Sequence, residues 1–276
     1  MADPPKLPPD AREILEATRH GSVVVITGAG ISAPSGIPTF RGREGYWTVG
    51  SREYHPQEMA TLSAFRSMPG EVWRWYLYRL GVCRGAEPNS AHLALRELEE
   101  AIGDRFFLIT QNVDGLHLRA GNSRDRTCEV HGNIELYRCP ECAEMPIRLP
   151  ADLPILQRET PLPDGLLDRL RCSCGTLRRP HVLWFDEYYD ESLYRSSTAL
   201  DRATQADLIV VIGSSGAASL PIHASLAGLE AGAAFINLDP NENVFQEMAD
   251  RAEQGATIRA GAETASAMVD VLLNRT

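Results

Sequence analysis

None of the 276 residues falls in an apolar run of 18 or more, so no stretch reads as a membrane-spanning helix, and the expected location is the cytoplasm. There is no surplus of basic residues either. Lys and Arg number 27 against 37 Asp and Glu, a formal charge of -10. That excess of acid argues against a nucleic-acid partner, because a phosphate backbone needs a basic face. No internal repeat is visible, and the only biased tract is the proline-rich start. Cysteine is scarce, at six residues. A chain of this length can bury a full core without disulfide cross-links. Hydrophobic and charged fractions of 43% and 23% place it among ordinary globular proteins.

What the chain does have is organised around Thr27–Arg41, T-G-A-G-I-S-A-P-S-G-I-P-T-F-R. The run Ser22–Ile26 before it reads as a buried parallel strand. Gly28, Gly30 and Ala33 give G-x-G-x-x-A, the spacing of a dinucleotide-binding turn. On that reading Gly28 makes the tight turn, Gly30 lets backbone approach a pyrophosphate, Ala33 permits close helix–strand contact, and a helix N-terminus favours the anion. Phe40-Arg41 behind Pro38 is an odd sequel for a helix start and reads as a loop closing over a ligand.

Strands alternate with helices along the rest of the chain. Helices are expected at 11–20, 56–65, 69–82, 90–101, 221–230 and 262–273, and strands at 105–110, 127–131, 208–212 and 233–238. Residues 42–54 carry no clear periodicity and read as loop. The fold class is therefore α/β, a doubly wound parallel sheet. Strand ends carry small or polar clusters at 27–30, 111–114, 213–215 and 237–239. In open α/β sheets, ligands bind at that edge.

Four cysteines form two close pairs, Cys139/Cys142 and Cys172/Cys174, with 29 residues between the pairs. Facing pairs of this kind close a tetrahedral zinc thiolate site, and four thiolates leave no open position, so the role is structural. The second pair is C-x-C rather than C-x2-C, a tighter constraint on the chain. Cys83 and Cys128 stand alone and read as small buried hydrophobes.

Taken together, G-A-G-I-S-A-P-S-G-I-P-T-F-R (28–41), T-Q-N-V-D-G-L-H (110–117), His131-Gly132, the cysteine pairs, P-H-V-L-W-F-D-E (180–187), G-S-S (213–215) and I-N-L (236–238) resemble the sirtuins, NAD-dependent protein-lysine deacylases, in the family's order. The resemblance implies a Rossmann-like NAD domain (1–42, 89–132 and 185–276) and a smaller domain made of a helical module (43–88) and a zinc module (133–184). Acylated lysine side chains of proteins would bind between the domains. It implies His131 as general base, with Asn112 and Asp114 placing the nicotinamide and its ribose. Gly28, Ala29, Gly30, Ser32, Phe40, Arg41, Gln111, Gly213, Ser214, Ser215 and Asn237 would hold NAD. Histidine suits the task, since its ordinary pKa lies near neutrality.

Tyr76-Leu77-Tyr78-Arg79 further resembles the Y-x-x-R pair of the class III sirtuins, which bind the distal carboxylate of succinyl- or malonyl-lysine. Residues i and i+3 share a helix face, and a guanidinium beside a phenol suits a carboxylate. Ala60 matches the small residue that widens their acyl pocket, and Leu183 and Phe185 complete its lining. The expected activity is thus deacylation favouring succinyl and malonyl groups, with acetyl also accepted. Two further readings use the same site, mono-ADP-ribosyl transfer and a non-catalytic NAD or ADP-ribose sensor. Two departures fall on the peptide groove. Asp186 stands where the family usually has Gly, and the run from Gly213 to Pro221 is one residue longer.

Overall fold

The computed structural model describes residues 7–38, 47–49 and 52–275. Phe40 and Arg41, and with them the expected closing loop, lie outside the described residues. In chain order the strands are β1 (Val23–Thr27), β2 (Trp47–Val49), β3 (Arg52–Tyr54), β4 (Phe106–Thr110), β5 (Thr127–Glu129), β6 (Gly132–Arg138), β7 (Ile147–Arg148), β8 (Arg179–Val182), β9 (Leu208–Ile212), β10 (Ala234–Leu238) and β11 (Gly255–Ile258).

The long apolar runs of β1, β4, β9 and β10 are buried at every position, as strands covered on both faces require. Their side chains divide with period two. Val23, Val25, Phe106, Leu108, Val210 and Ile236 face a layer made by helices 9–18, 90–102 and 265–272. Val24, Ile26, Phe107, Ile109, Ile209 and Phe235 face helices 196–204, 219–230 and 244–251. The result is a doubly wound parallel sheet with the order β11-β10-β9-β1-β4-β5. The chain runs from β1 outward to β4 and β5, then returns to β9 and runs outward the other way. The topological switch point therefore lies between β1 and β9, where such sheets leave a crevice for ligands.

A second core lies beyond the carboxyl ends of the strands. Helix 69–85 buries Val72, Trp73, Trp75, Tyr76, Leu77 and Leu80. These pack with Ile134, Tyr137, Leu149, Leu153, Leu156, Leu170 and Trp184 from the segment that carries the cysteines. The helical and cysteine-bearing segments thus share one hydrophobic cluster. The latter is built on a small antiparallel sheet, β7-β6-β8.

Several elements differ from the sequence reading. Residues 47–49 and 52–54 pair as two antiparallel strands, β2 and β3, where loop was expected. β11 and helix 244–251 escape a periodicity search because each is short. β11 is four residues of which only Ala256 and Ile258 are buried. The segment after Gly28 is a 3-10 helix, Ala29–Ser35, rather than an α-helix. Pro34 lies inside it and Gly36, at φ 82°, ends it, so no α-helical ladder can propagate.

Candidate active site

The four polar strand ends predicted from sequence meet at one edge, because β10, β9, β1 and β4 are neighbours. The glycines there have a different task from the one the motif suggests. A Cβ on Gly28 would lie 2.6 Å from the Gly213 carbonyl oxygen, and one on Gly30 would lie 2.6 Å from Gly213 Cα. Gly213 itself sits at φ +61°, and its own Cβ would lie 2.6 Å from Ile31 N. The Gly28 and Gly30 N–H groups donate to the Ile212 and Gly213 carbonyls at 3.0 and 2.9 Å. These glycines let two turns interlock across the switch point, and their amides are used in doing so. Ala33 is exposed, so it makes no close helix–strand contact.

Below the turn, Ser32 donates to Asp114 Oδ2 at 2.7 Å and accepts from Asn112 Nδ2 at 3.1 Å. Asn112 Nδ2 also reaches the Gly28 carbonyl at 3.0 Å. Asp114 takes the Leu116 N–H on its other oxygen at 2.9 Å, which fixes it at the start of helix 116–120. Burial holds its carboxyl above the usual carboxylate range, opposed by the Leu116 and Ser32 donors. Gln111 joins the two turns, with Nε2 donating to Ser214 Oγ at 2.8 Å. Ala29 is half-buried and Ser215 is exposed on the same edge. Asn237 is fully buried, and among the described residues neither its Nδ2 nor its Oδ1 has a partner. An unpartnered amide at the crevice fits a site that holds a polar ligand.

Two histidines to which the sequence reading gave no role lie underneath. His117 Nε2 is 3.0 Å from Thr27 Oγ1, and its ring stands 4.8 Å from that of His92. Burial drives both pKa values down, that of His92 to about 4. They are neutral struts beneath the crevice. His117 lies within a motif quoted above, and its position after Gly115-Leu116 was the signal available.

His131 follows β5 at the far end of the same edge. Its carbonyl accepts from Leu183 N at 2.9 Å, while Phe185 N donates to the Ala60 carbonyl at 3.0 Å. Residues 183–185 are therefore a rail tied alternately to His131 and to the helical segment. Between those ties the Trp184 indole donates to the Tyr76 hydroxyl at 2.8 Å. Arg179, buried and paired with Glu187, lies against the Trp184 ring with its guanidinium carbon 3.2 Å from the centroid. Ala60 is buried, Leu183 half-buried and Phe185 62% exposed, so the last presents its ring outward. Asp186 does not project into the groove. Its two oxygens accept from Leu62 N at 2.7 Å and Ser63 N at 3.1 Å and so cap helix 62–67.

Tyr76 and Arg79 lie on helix 69–85 as expected. Burial, the largest influence, raises the Tyr76 pKa and keeps the phenol neutral, while the Trp184 hydrogen bond, Arg179 and then Arg79 act against it. The Arg79 guanidinium stands 5.4 Å from the Trp75 ring centroid.

The four paired cysteines converge. Their sulfurs lie within 4.8 Å of one another, with Cys139–Cys174 and Cys142–Cys172 at 3.7 Å. A zinc ion about 2.3 Å from each of four thiolates sets sulfur–sulfur edges of roughly 3.8 Å, so the donor set fits zinc. The tight C-x-C pair is accommodated by a turn in which Gly175, at φ +86°, donates to the Cys172 carbonyl at 2.8 Å.

Comparison with known proteins points the same way. An NAD-dependent protein deacylase of Leptospira interrogans serogroup Icterohaemorrhagiae serovar Lai (strain 56601) is 39% identical over 236 residues, 85% of this chain and 88% of that one. A Sir2 homologue mutant solved with 2′-O-acetyl ADP ribose superposes with a TM-score of 0.77 at 34% identity, covering 95% of this chain and 96% of that one. A Sir2 homologue–NAD complex superposes at 0.75 and 34% identity, with 95% and 94% covered. The model of the Sir2 family matches residues 28–219, from the first glycine turn to the start of helix 219–230, and the chain belongs to that family.

Proposed function

We propose that this Sir2-family enzyme is an NAD-dependent protein-lysine deacylase that favours succinyl and malonyl over acetyl groups, moving the acyl group to ADP-ribose with release of nicotinamide. The observation that carries the reading is the rail at 183–185. It ties the strand-end histidine to the helical segment bearing Ala60, Tyr76 and Arg79, beside a crevice built at the switch point.

NAD supplies a ribose whose C1′ takes the acyl oxygen as nicotinamide leaves. The chain's part is to hold it and to move a proton. The Gly28–Ser32 and Gly213–Ser215 turns, with Gln111 between them, form the crevice for its phosphates and riboses. Asn112 and Asp114, fixed on Ser32, present an amide and a carboxyl to the nicotinamide end. His131 accepts the ribose proton as general base. Burial lowers its pKa to about 4, so at neutral pH the ring is uncharged and able to accept. Tyr76 and Arg79 give the acyl carboxylate one hydroxyl donor and one guanidinium. Cys139, Cys142, Cys172 and Cys174 hold structural zinc away from this chemistry.

The test is kcat/KM for a single peptide carrying acetyl-, malonyl- or succinyl-lysine in the presence of NAD, on the wild type and on Arg79→Met. Preference for the acidic groups, lost at least tenfold in the variant while deacetylation changes little, supports the selector role. Equal losses on all three would remove it, and a preference for acetyl would leave a plain deacetylase.

A further inference from the structure

Tyr189 lies outside every motif used so far, yet its hydroxyl is 2.9 Å from His131 Nε2. The two rings stand 5.9 Å apart at 30°. The phenol is not a surface side chain that has swung inward. Its ring packs, partly buried, on the rear core of the sheet that also contains Val130, Leu220 and Ala224. Its oxygen meets the Leu220 backbone at the start of the twelve-residue helix Ser219–Glu230. Tyr189 thus bridges the strand end that carries His131 and the helix that follows the Gly213–Ser215 turn.

We infer that Tyr189 is the positioning residue of His131, donating its hydroxyl to Nε2 so that this nitrogen is held as an acceptor, aimed and uncharged, until a ribose hydroxyl replaces the phenol. The direction of the hydrogen bond follows from the surroundings. Burial raises the phenol pKa to about 12, so Tyr189 keeps its proton. The imidazole is neutral and so carries one ring N–H, and the Gln111 backbone beside the ring favours that proton on the nitrogen away from Tyr189. Nε2 is left as the acceptor. When substrate binds, the ribose O–H proton passes to Nε2, and the tyrosine leaves with the proton it brought. Titratable groups on the packed elements are Glu129 on β5, Asp114 after β4 and His181 on β8. Glu129 is occupied by Asn133 Nδ2, Asp114 by Ser32 and Leu116, and His181 stacks on Tyr194.

The inference rests on His131 being the base, so the test has two arms. Nitrogen-15 NMR of histidine-labelled protein reads the His131 tautomer and titration in the wild type and in Tyr189→Phe, which keeps the ring that packs on the core. The pH dependence of kcat/KM is measured in parallel on an acyl-lysine peptide. Removing one donor from Nε2 costs the neutral form one hydrogen bond, so the His131 titration and the acidic limb of the profile should both move up by about half to one pH unit. The KM for NAD should change less than about twofold. A wild-type Nε2 that carries the proton, or a titration and limb unmoved in the variant, would overturn the assignment. If the wild type turned over no acyl-lysine peptide, the deacylase reading would fail, while the NMR arm would still decide the Tyr189–His131 pairing.

Discussion

Replacing Asp186 by Ala removes the acceptor of two backbone N–H groups, Leu62 at 2.7 Å and Ser63 at 3.1 Å. Both belong to the first turn of helix 62–67, where backbone donors have no partner within the helix. Thr61 Oγ1 already accepts from Ala64 N, so the helix would keep one cap and lose the other. The start of the helix is exposed, so water replaces much of what is lost. The expected cost is that of losing a capping carboxylate, about 1 kcal/mol within a range of roughly 0.5–2. In a protein of this size that lowers Tm by about 2–4 °C. Asp186→Asn should cost nearly as much, because its amide oxygen satisfies one N–H while its NH2 faces the other. The functional effect should fall on the peptide. The cap ties residue 186 to the segment just after Ala60, so freeing it loosens the groove wall. KM for the acyl-peptide should rise several-fold, with KM for NAD unchanged. Thermal unfolding and steady-state kinetics on both substrates decide the matter. An Asp186→Ala protein with unchanged Tm and unchanged peptide KM would refute the capping argument.

Stability should also depend on pH in a defined window. His92 and His181 are buried, and burial pushes each pKa down to about 4, below the value near 6.5 of an unfolded chain. The unfolded state therefore binds protons that the folded state refuses. Stability is full above pH 6.5 and falls as pH drops toward 4, by on the order of 2–3 kcal/mol for each histidine. Urea midpoints at pH 7.5, 5.5 and 4.5 should decline in that order, and a flat series would contradict neutral burial. Zinc should act on the whole fold, since four thiolates leave no position open for substrate. A chelator should lower Tm by more than 10 °C and remove activity only in step with unfolding. An apo protein that stayed folded and active would show that the cluster is not structural.

The sequence by itself determined the elements that repeat a simple signal. The mostly apolar runs of β1, β4, β9 and β10, short and rich in β-branched residues, read as strands buried on both faces, and the polar residues near their ends must gather where parallel strands end together. Cysteine pairs at short spacing announce their own convergence, because two such pairs close a four-thiolate site. The tertiary structure decided whatever depends on a partner remote in the chain. Gly28 and Gly30 read as room for a ligand, and only the fold shows that the space a Cβ would need at either is taken by Gly213, about 180 residues away in sequence. Asp186 stood out only as a departure from Gly on the peptide groove, and two N–H groups more than 120 residues away hold it as a cap. Tyr189 carried no signal at all, because a tyrosine in a polar loop is unremarkable until β5 and helix 219–230 bring His131 and Leu220 to its oxygen. Periodicity records which face of an element is covered. It carries no record of which distant atom does the covering, and at the mouth of this sheet that atom sets each side chain's role.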